Sequence, residues 1–545
     1  MTSRPLARRG FLKKGVAAAF GAATFPLVSA ALTRADGRIA ESGRAAPPTF
    51  DPRLLQQAAS AGAAPSARVK LDFDRRIGTI DRNIYGNFIE HLGRCIYGGI
   101  YEEGSPLSDS DGFRKDVLEA VRGLHIPLLR WPGGNFSSGY NWKDGIGPKD
   151  SRPRRWDTAW QAEESNRFGT DEFIAYCRKI NAEPYITINM GTGTMQEAAD
   201  WVEYCNATTD TYWANQRKKN GHAEPYNVKY WGLGNELYGP WQAGRKSAQE
   251  YGPLALEYAK MMRWIDPSIK LVACGGPTTE WNRLALDSLI EEVDYISLHH
   301  YCGGPGQDAH EAHDDTALAR QIAVLDAVIT TVSVRSERKE RVKIAVDEWN
   351  VWYRSWFKRN DDHKLEEVYN LRDVLWIATA MNIFHRACRT VTLADLAQLV
   401  NVIAPIMTNE KGLVLQTIYF PLQLYAGHCG TVALDALVRS DAFPEYPDTP
   451  YIDVSATTDE KNQKLTLAVV NRHPTADIPV DFVIEGFKPQ ASGDLYEVNG
   501  PSLDSTNTFA EPNNVTTKKT SFSGAGVSFQ RKFPAHSLSM MLLEA

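Results

Sequence analysis

The chain has 545 residues, 43% hydrophobic and 23% charged, with a formal net charge of −6. This is the composition of a large folded protein of more than one domain, and it excludes a disordered or collagen-like chain. An acidic body without a basic tract excludes nucleic acid as the main partner. The 14 Trp and 22 Tyr suit sugar stacking and a large aromatic core equally well, so composition alone does not separate those readings.

At the N-terminus, Arg8 and Arg9 precede Phe11, Leu12 and an Ala-rich apolar run that reaches Val-Ser-Ala at 28–30. A basic region ahead of a mildly apolar stretch predicts a twin-arginine-type export signal over 1–35, cleaved after Ala30 or Ala35. The mature protein is then expected to be periplasmic or secreted. No later run of about 18 apolar residues is apparent, so no membrane span is expected after processing. Residues 36–66 are rich in Ala, Gly, Pro and Ser and read as a low-complexity linker. The seven cysteines, Cys95, Cys177, Cys205, Cys274, Cys302, Cys388 and Cys429, are odd in number and lack zinc-site spacing. They are expected to serve mostly as small buried hydrophobes.

From about residue 81, short β-rich runs alternate with helical stretches. The runs are 83–90, 126–131, 184–190, 228–236, 270–276, 293–301, 342–349 and 390–397. Helix patterns between them include 171–180, 248–265, 315–332 and 368–387. Eight alternating units predict an α/β fold, a (β/α)8 TIM barrel over 81–405. A doubly wound open sheet would need a Gly-rich phosphate loop after its first strand, and there is none. Beyond 405, short strands separated by turn residues predict an all-β sandwich of jelly-roll type over 406–545. The strand at 67–80 is expected to pair into it.

Barrel enzymes carry their reactive groups at the C-terminal ends of the strands. Here those ends hold Glu90 and His91, Arg130, Asn135, Asn235 and Glu236, His299 to Tyr301, Asp347 and Glu348, with Gln398 just past the last run. One polar strand end can be structural, but a ring of them with aromatic neighbours points to a pocket. Glu236 on the fourth run and Glu348 on the seventh fall on opposing sectors of the mouth. Two carboxylates facing each other across a polyol pocket are what cleavage of a glycosidic bond requires. One protonates the leaving oxygen, and the other attacks or activates water. The plain alternative is a pair of structural carboxylates salt-bridged near the rim.

The segments YGNFIEHLGRCIYGGIY, LRWPGGNFSSGYNWKDGIGP, YWGLGNELYGPWQ, DYISLHHY, DEWNVWY and LAQLVNVIAPIMT resemble, in order, family 51 of the glycoside hydrolases, the α-L-arabinofuranosidases. The likeness runs from about residue 69 to the C-terminus. It implies a retaining, exo-acting enzyme without metal or other cofactor. The substrate would be terminal arabinofuranose on arabinan, arabinoxylan or their oligosaccharides. It implies Glu236 as general acid/base and Glu348 as nucleophile, with burial and the Glu348 charge holding Glu236 higher in pKa than its partner. Glu90, Arg130, Asn135 and Asn235 match positions that hold furanose hydroxyls or orient the nucleophile. His299 and Tyr301 match residues beside the two carboxylates, Gln398 a further sugar contact, and Trp160 and Trp352 the aromatic walls. A homo-oligomer is also implied.

Departures from the family pattern are His300, where many relatives carry an amide, the Gly-rich loop 302–315 and the short charged stretch between Tyr353 and Val368. These bear on the aglycone rather than on the chemistry. Three rivals remain at this stage. One is another retaining barrel glycosidase, such as an endo-glucanase or another furanosidase. The second is a metal-dependent hydrolase using His299, His300, Asp347 and Glu348, which is disfavoured because neighbours on a strand point to opposite faces. The third is a non-catalytic sugar-binding protein, which gives no reason to bury two carboxylates.

Overall fold

The computed structural model describes residues 65–303, 315–352 and 365–545. The expected export signal, nearly all of the expected linker, most of the Gly-rich loop and most of the charged stretch after Tyr353 lie outside the described residues. The first strand, β1 (Ala67–Thr79), buries Ala67, Val69, Leu71 and Phe73 in alternation, the period-two pattern of a strand with one face on a core.

The eight β-rich runs close a parallel barrel. Its strands are β2 (Gly86–Phe88), β3 (Leu128–Trp131) and, after a hairpin of β4 (Arg155–Asp157) and β5 (Ala162–Glu164), β6 (Glu183–Thr187), β7 (Tyr230–Leu233), β8 (Lys270–Ala273), β9 (Tyr295–Cys302), β10 (Lys343–Val351) and β11 (Val391–Ala397). β11 returns to pair with β2. The first strand is shorter than its sequence pattern. Asp81 caps a 3-10 turn over Arg82–Tyr85, so that only Gly86–Phe88 pair and Glu90 stands beyond the strand end. Leu128, Tyr185, Tyr230, Val272, Ala345 and Leu393 pack together inside the barrel. Trp131, Ile186, Trp231, Leu271, Val346 and Leu396 belong to the larger core shared with the helices. Burial on both faces is why these strands read as nearly continuous apolar runs.

Several helices start at reciprocal caps. Thr194 with Glu197 precedes Met195–Asn206, Ser247 with Glu250 precedes Ala248–Ile265, and Asn370 with Asp373 precedes Leu371–Arg386. Helix Asp315–Ser333 departs from the sequence expectation. Its segment Thr316–Ser333 has a mean hydropathy of 1.2 and is long and apolar enough to cross a membrane. Its Leu318, Ile322, Leu325, Ile329 and Val332 fall at helical spacing and are buried against the barrel, which is the pattern of an amphipathic barrel helix.

A hairpin of β12 (Ile406–Asn409) and β13 (Gly412–Leu415) and the helix Tyr419–His428 follow the barrel. Then come β14 (Val432–Ser440), a small hairpin of β15 (Ala442–Phe443) and β16 (Tyr446–Pro450), β17 (Ile452–Thr458), β18 (Lys464–Asn471), β19 (Ile478–Glu485), β20 (Ser492–Asn499), β21 (Thr516–Ser523), β22 (Ser528–Phe533) and β23 (Ser537–Glu544). The main sheet runs β21-β20-β23-β18-β17-β14-β1-β19-β22. β1 lies antiparallel to β14 and parallel to β19. β21 and β22 occupy opposite edges, yet the Arg531 guanidinium lies 4.7 Å over the Phe522 ring. The sheet therefore curls around one core, to which Val69, Val454, Leu467, Phe482, Phe522 and Met541 contribute.

A buried polar seam joins this sheet to the barrel. Asn382 donates to Asp453 at 2.7 Å, and His385 sits between the Tyr85 hydroxyl and Ser455. Burial pushes His385 down to about 3, so it serves as a neutral partner there. The seven thiols are free.

Candidate active site

Successive side chains on a regular strand point to opposite faces, so Asp347 and Glu348 should not both reach the mouth. They do, because β10 carries a bulge. Ala345 pairs with Ser297 and Glu348 with His299 on β9, three residues against two. The same excess separates Val346 and Trp349 from Ala394 and Leu396 on β11. Trp349 consequently turns outward onto Trp376 and Phe384. Arg130, at the end of β3, holds the bulge in place. It donates to Glu348 Oε1 at 2.8 Å and to the Asp347 carbonyl at 2.9 Å, and it lies 3.7 Å from the Asp347 carboxylate. Its other nitrogens donate to Thr187 and, at 2.6 Å, to Asn235 Oδ1. The Tyr301 hydroxyl donates to Glu348 Oε2 at 2.9 Å.

Glu236 reaches the same pocket from the turn after β7. Gly234 has φ +80° and Glu236 itself has φ +42°, a left-handed conformation that a Glu adopts at some cost. A Cβ on Gly234 would meet Leu237 Cδ1 at 2.8 Å, so position 234 requires glycine twice over. Glu236 Oε1 accepts from the Tyr238 hydroxyl at 3.1 Å and lies 2.9 Å from His299 Nδ1. Its Oε2 accepts from Trp241 Nε1 at 2.5 Å. One oxygen each of Glu236 and Glu348, together with a His299 nitrogen, lie within 4.8 Å of one another.

Residues 120–319 match the α-L-arabinofuranosidase 1 domain and residues 347–537 the α-L-arabinofuranosidase C-terminal domain. The chain is 40% identical over 503 residues to α-L-arabinofuranosidase C of Emericella nidulans, covering 87% of this chain and 96% of that one. It is 41% identical over 430 residues to the intracellular exo-α-(1→5)-L-arabinofuranosidase 1 of Bacillus subtilis, covering 74% and 85%. The solved GH51 α-L-arabinofuranosidase of Thermotoga petrophila RKU-1 matches with a TM-score of 0.83 and 44% identity, over 88% of this chain and 100% of that one. This chain belongs to glycoside hydrolase family 51, the α-L-arabinofuranosidases.

The electrostatics of this family 51 pocket centre on His299. Its Nδ1 faces Glu236, with Glu348 Oε2 at 3.5 Å, and its Nε2 lies 3.3 Å from Asp347 Oδ1. Burial alone would strip its proton. The carboxylates of Glu348, Asp347 and Glu236 reverse that and raise it to about 10. Burial likewise pushes Glu236 up, but His299, Trp241 and Tyr238 outweigh it and leave this carboxyl below its ordinary range. This corrects the expectation that burial and the Glu348 charge hold Glu236 high. With the imidazole raised and the carboxyl lowered, the proton rests on the His299 side of the pair. Asp347 is lowered as well, against burial, by Arg130, His299 and Tyr185.

Glu90 forms the opposite wall. It accepts from the Phe136 backbone at 3.0 Å, Trp160 Nε1 at 2.9 Å and Gln398 Nε2 at 3.2 Å. Burial still pushes it up to about 8, with Glu348 adding to the rise and the Phe136 and Trp160 donors opposing it. Trp352 packs edge-on against Tyr301, with ring centroids 5.3 Å apart. Asn135 opens the 3-10 turn Asn135–Gly139 after β3, half-buried. Asn235, which the family resemblance assigns to a sugar hydroxyl, is engaged here by Arg130 and donates to Gln242 at 3.4 Å. Arg130, Asn235, Glu236, His299, Tyr301 and Glu348 thus form one contiguous network, and Glu90, Trp160 and Gln398 a second.

His300 faces away, with its Nδ1 3.0 Å from Gln321 Oε1 and its ring stacked on Trp376. The adjacent histidines therefore cannot chelate one ion. Sequence reasoning put Asp347 at a strand end but gave it no role beside the two Glu residues, and it missed Tyr185, Tyr238, Trp241 and Gln242 as parts of the site. The aromatic residues just after Glu236 in ELYGPWQ were the available signal for Tyr238 and Trp241. That Asp347 shares the pocket with its neighbour Glu348 was hidden by the alternation rule that the bulge breaks.

Proposed function

We propose that this chain is a retaining, exo-acting α-L-arabinofuranosidase that hydrolyses terminal arabinofuranosyl residues of arabinan, arabinoxylan or their oligosaccharides. The observation that carries the reading is the approach of Glu236 and Glu348 oxygens to within 4.8 Å. Retaining glycosidases hold their carboxyls about 5–5.5 Å apart, and inverting ones about 6.5–9.5 Å, to admit a water. Glu348, gripped by Arg130 and Tyr301, attacks the anomeric carbon. The Glu236–His299 pair delivers its proton through Glu236 to the departing oxygen, since Glu236 stands on the mouth side beside the exposed Trp241. Glu236, now without that proton, activates the water that breaks the glycosyl ester. The exo reading is supported by the Bacillus subtilis relative, which is named as an exo-α-(1→5)-enzyme. That relative is also named intracellular, whereas Arg8, Arg9 and the apolar run behind them support export of this chain.

The test is hydrolysis of 4-nitrophenyl α-L-arabinofuranoside by the wild type and by Glu236→Ala, with and without azide. Azide needs no general base. Attack by Glu348 and then by azide inverts the anomeric centre twice, so the expected product is the α-azide. A β-azide would overturn the double displacement, and an inactive wild type would overturn the substrate assignment.

A further inference from the structure

Trp160 reaches Glu90 from the hairpin of β4 and β5, and little apolar packing holds that hairpin down. Arg155, Trp156, Ala162 and Glu163 are exposed, and of the two strands only Glu164 is buried. A cavity of about 50 Å3, lined in part by His91, Tyr97, Asp157, Trp160 and Glu164, lies between the hairpin and the turn after β2 beside their direct contacts. The ion pair of Arg155 with Asp144 on its outer side has a solvent-exposed guanidinium and adds little.

The buried contacts of Glu164 are of a different kind. The Trp131 indole can only donate, and it donates to His91 Nε2 at 3.0 Å. The remaining ring nitrogen, Nδ1, therefore carries the proton and donates to Glu164 Oε2 at 2.8 Å. Glu164 Oε1 accepts the Tyr97 hydroxyl at 2.5 Å and the Asn166 amide at 2.6 Å. Tyr97 donates here because the carboxylate can only accept, while its own oxygen accepts from the Phe168 amide at 3.2 Å. Two donors of fixed direction, His91 Nδ1–H on one oxygen and the Asn166 amide on the other, converge on one side chain with the Tyr97 hydroxyl, and only a carboxylate, which has acceptors alone, satisfies both fixed donors. His91 directly follows Glu90 in the chain. Two rungs, Glu90 to Trp160 and His91 to Glu164, thus tie the same turn to the same hairpin.

We propose that His91 and Glu164 are positioning residues that clamp the hairpin so that Trp160 stands as the wall of the sugar site. This rests on the arabinofuranosidase reading for its kinetic consequence but not for the clamp itself. Glu164→Gln is nearly isosteric, yet its NH2 must face a donor, either His91 or the Asn166 amide. In the wild type, amide hydrogen exchange over residues 153–166 should be slow. In Glu164→Gln it should accelerate there while the barrel strands stay unchanged. Unchanged exchange in the hairpin would overturn the clamp whether or not the protein turns over any substrate.

On 4-nitrophenyl α-L-arabinofuranoside, Glu164→Gln should raise KM about tenfold with kcat within about threefold, the pattern of lost substrate binding. The double variant Glu164→Gln/Trp160→Ala should match Trp160→Ala alone, because both changes remove the same wall. Additive losses would reduce Glu164 to a general stabilising role and overturn the positioning claim. An inactive wild type with accelerated hairpin exchange in Glu164→Gln would keep the clamp and sink the substrate assignment instead.

Discussion

Replacing Asp347 by Asn tests whether the leaving-group proton is stored between His299 and Glu236. Asp347 Oδ1 lies 3.3 Å from His299 Nε2, and Oδ2 accepts the Tyr185 hydroxyl at 2.8 Å. Asn keeps the shape and one carbonyl acceptor but removes the charge. Opposite unit charges at that distance attract by roughly 5 kcal/mol in an effective dielectric near 20, which is a ceiling because the Asn carbonyl still accepts. The contact is a buried ion pair rather than a well-formed hydrogen bond, and a net worth of about 1.5–3 kcal/mol, that of a charged polar contact, is equivalent to a shift of about 1–2 pH units. The sign follows from charge: the anion favours the imidazolium, so its removal lets the proton leave at lower pH.

Wild-type His299 stands near 10. The alkaline limb of kcat/KM should therefore fall from about there to roughly pH 8–9 in Asp347→Asn. The assay is kcat/KM on an aryl α-L-arabinofuranoside from about pH 5 to 10, with melting temperature followed at each pH to separate titration from unfolding. An alkaline limb that stays in place, or moves to higher pH, would refute the assignment of this proton.

Arg130→Lys removes a fork that serves Glu348, Asp347, Asn235 and Thr187 together, and an ammonium cannot replace it. The expected loss in kcat/KM is about 10²–10³-fold, and a loss below tenfold would show that the fork is not needed. Asp395 is fully buried, and neither of its oxygens has a partner among the described residues. Burial first, then the charges of Asp347 and Glu348, push its carboxyl well above the ordinary range. The folded protein thus keeps a proton that the unfolded chain releases above about pH 4, so this group's contribution to stability falls as pH rises. Asp395→Asn removes that dependence, and its advantage in melting temperature over the wild type should widen from about pH 5 to 8; a constant gap counts against a neutral Asp395. Gly86→Ala would place a Cβ 2.1 Å from Asp395 Oδ1 and 2.9 Å from the Ala394 carbonyl, neither of which can easily yield. Urea unfolding should show a loss of about 3 kcal/mol, and wild-type stability would mean that β2 and β11 separate more readily than their pairing indicates. Dialysis against a chelator should leave turnover unchanged; a loss restored by a divalent ion would return the metal-dependent reading.

The barrel was legible in the sequence because its strands are buried on both faces and most of its helices on one, Leu371–Arg386 being buried almost all round. Those two demands write distinct periods into the chain, and the helix at 248–265 could be delimited by its spacing alone. The carboxylate pair was legible for a related reason, since a barrel sends its strand ends to one mouth and both Glu236 and Glu348 close strand-like runs. The bulge on β10 was not legible. It exists only through pairing with β9 and β11, and it alone turns Asp347 inward beside Glu348. The resting place of the proton was hidden for the same reason. Three carboxylates and Arg130 meet around His299 only once the barrel closes, and their distances, rather than the identity of any one residue, decide that Glu236 is lowered and His299 raised. Local periodicity therefore determined the elements and the residue types at the mouth, while long-range pairing decided which side chains face each other and which of them holds a charge.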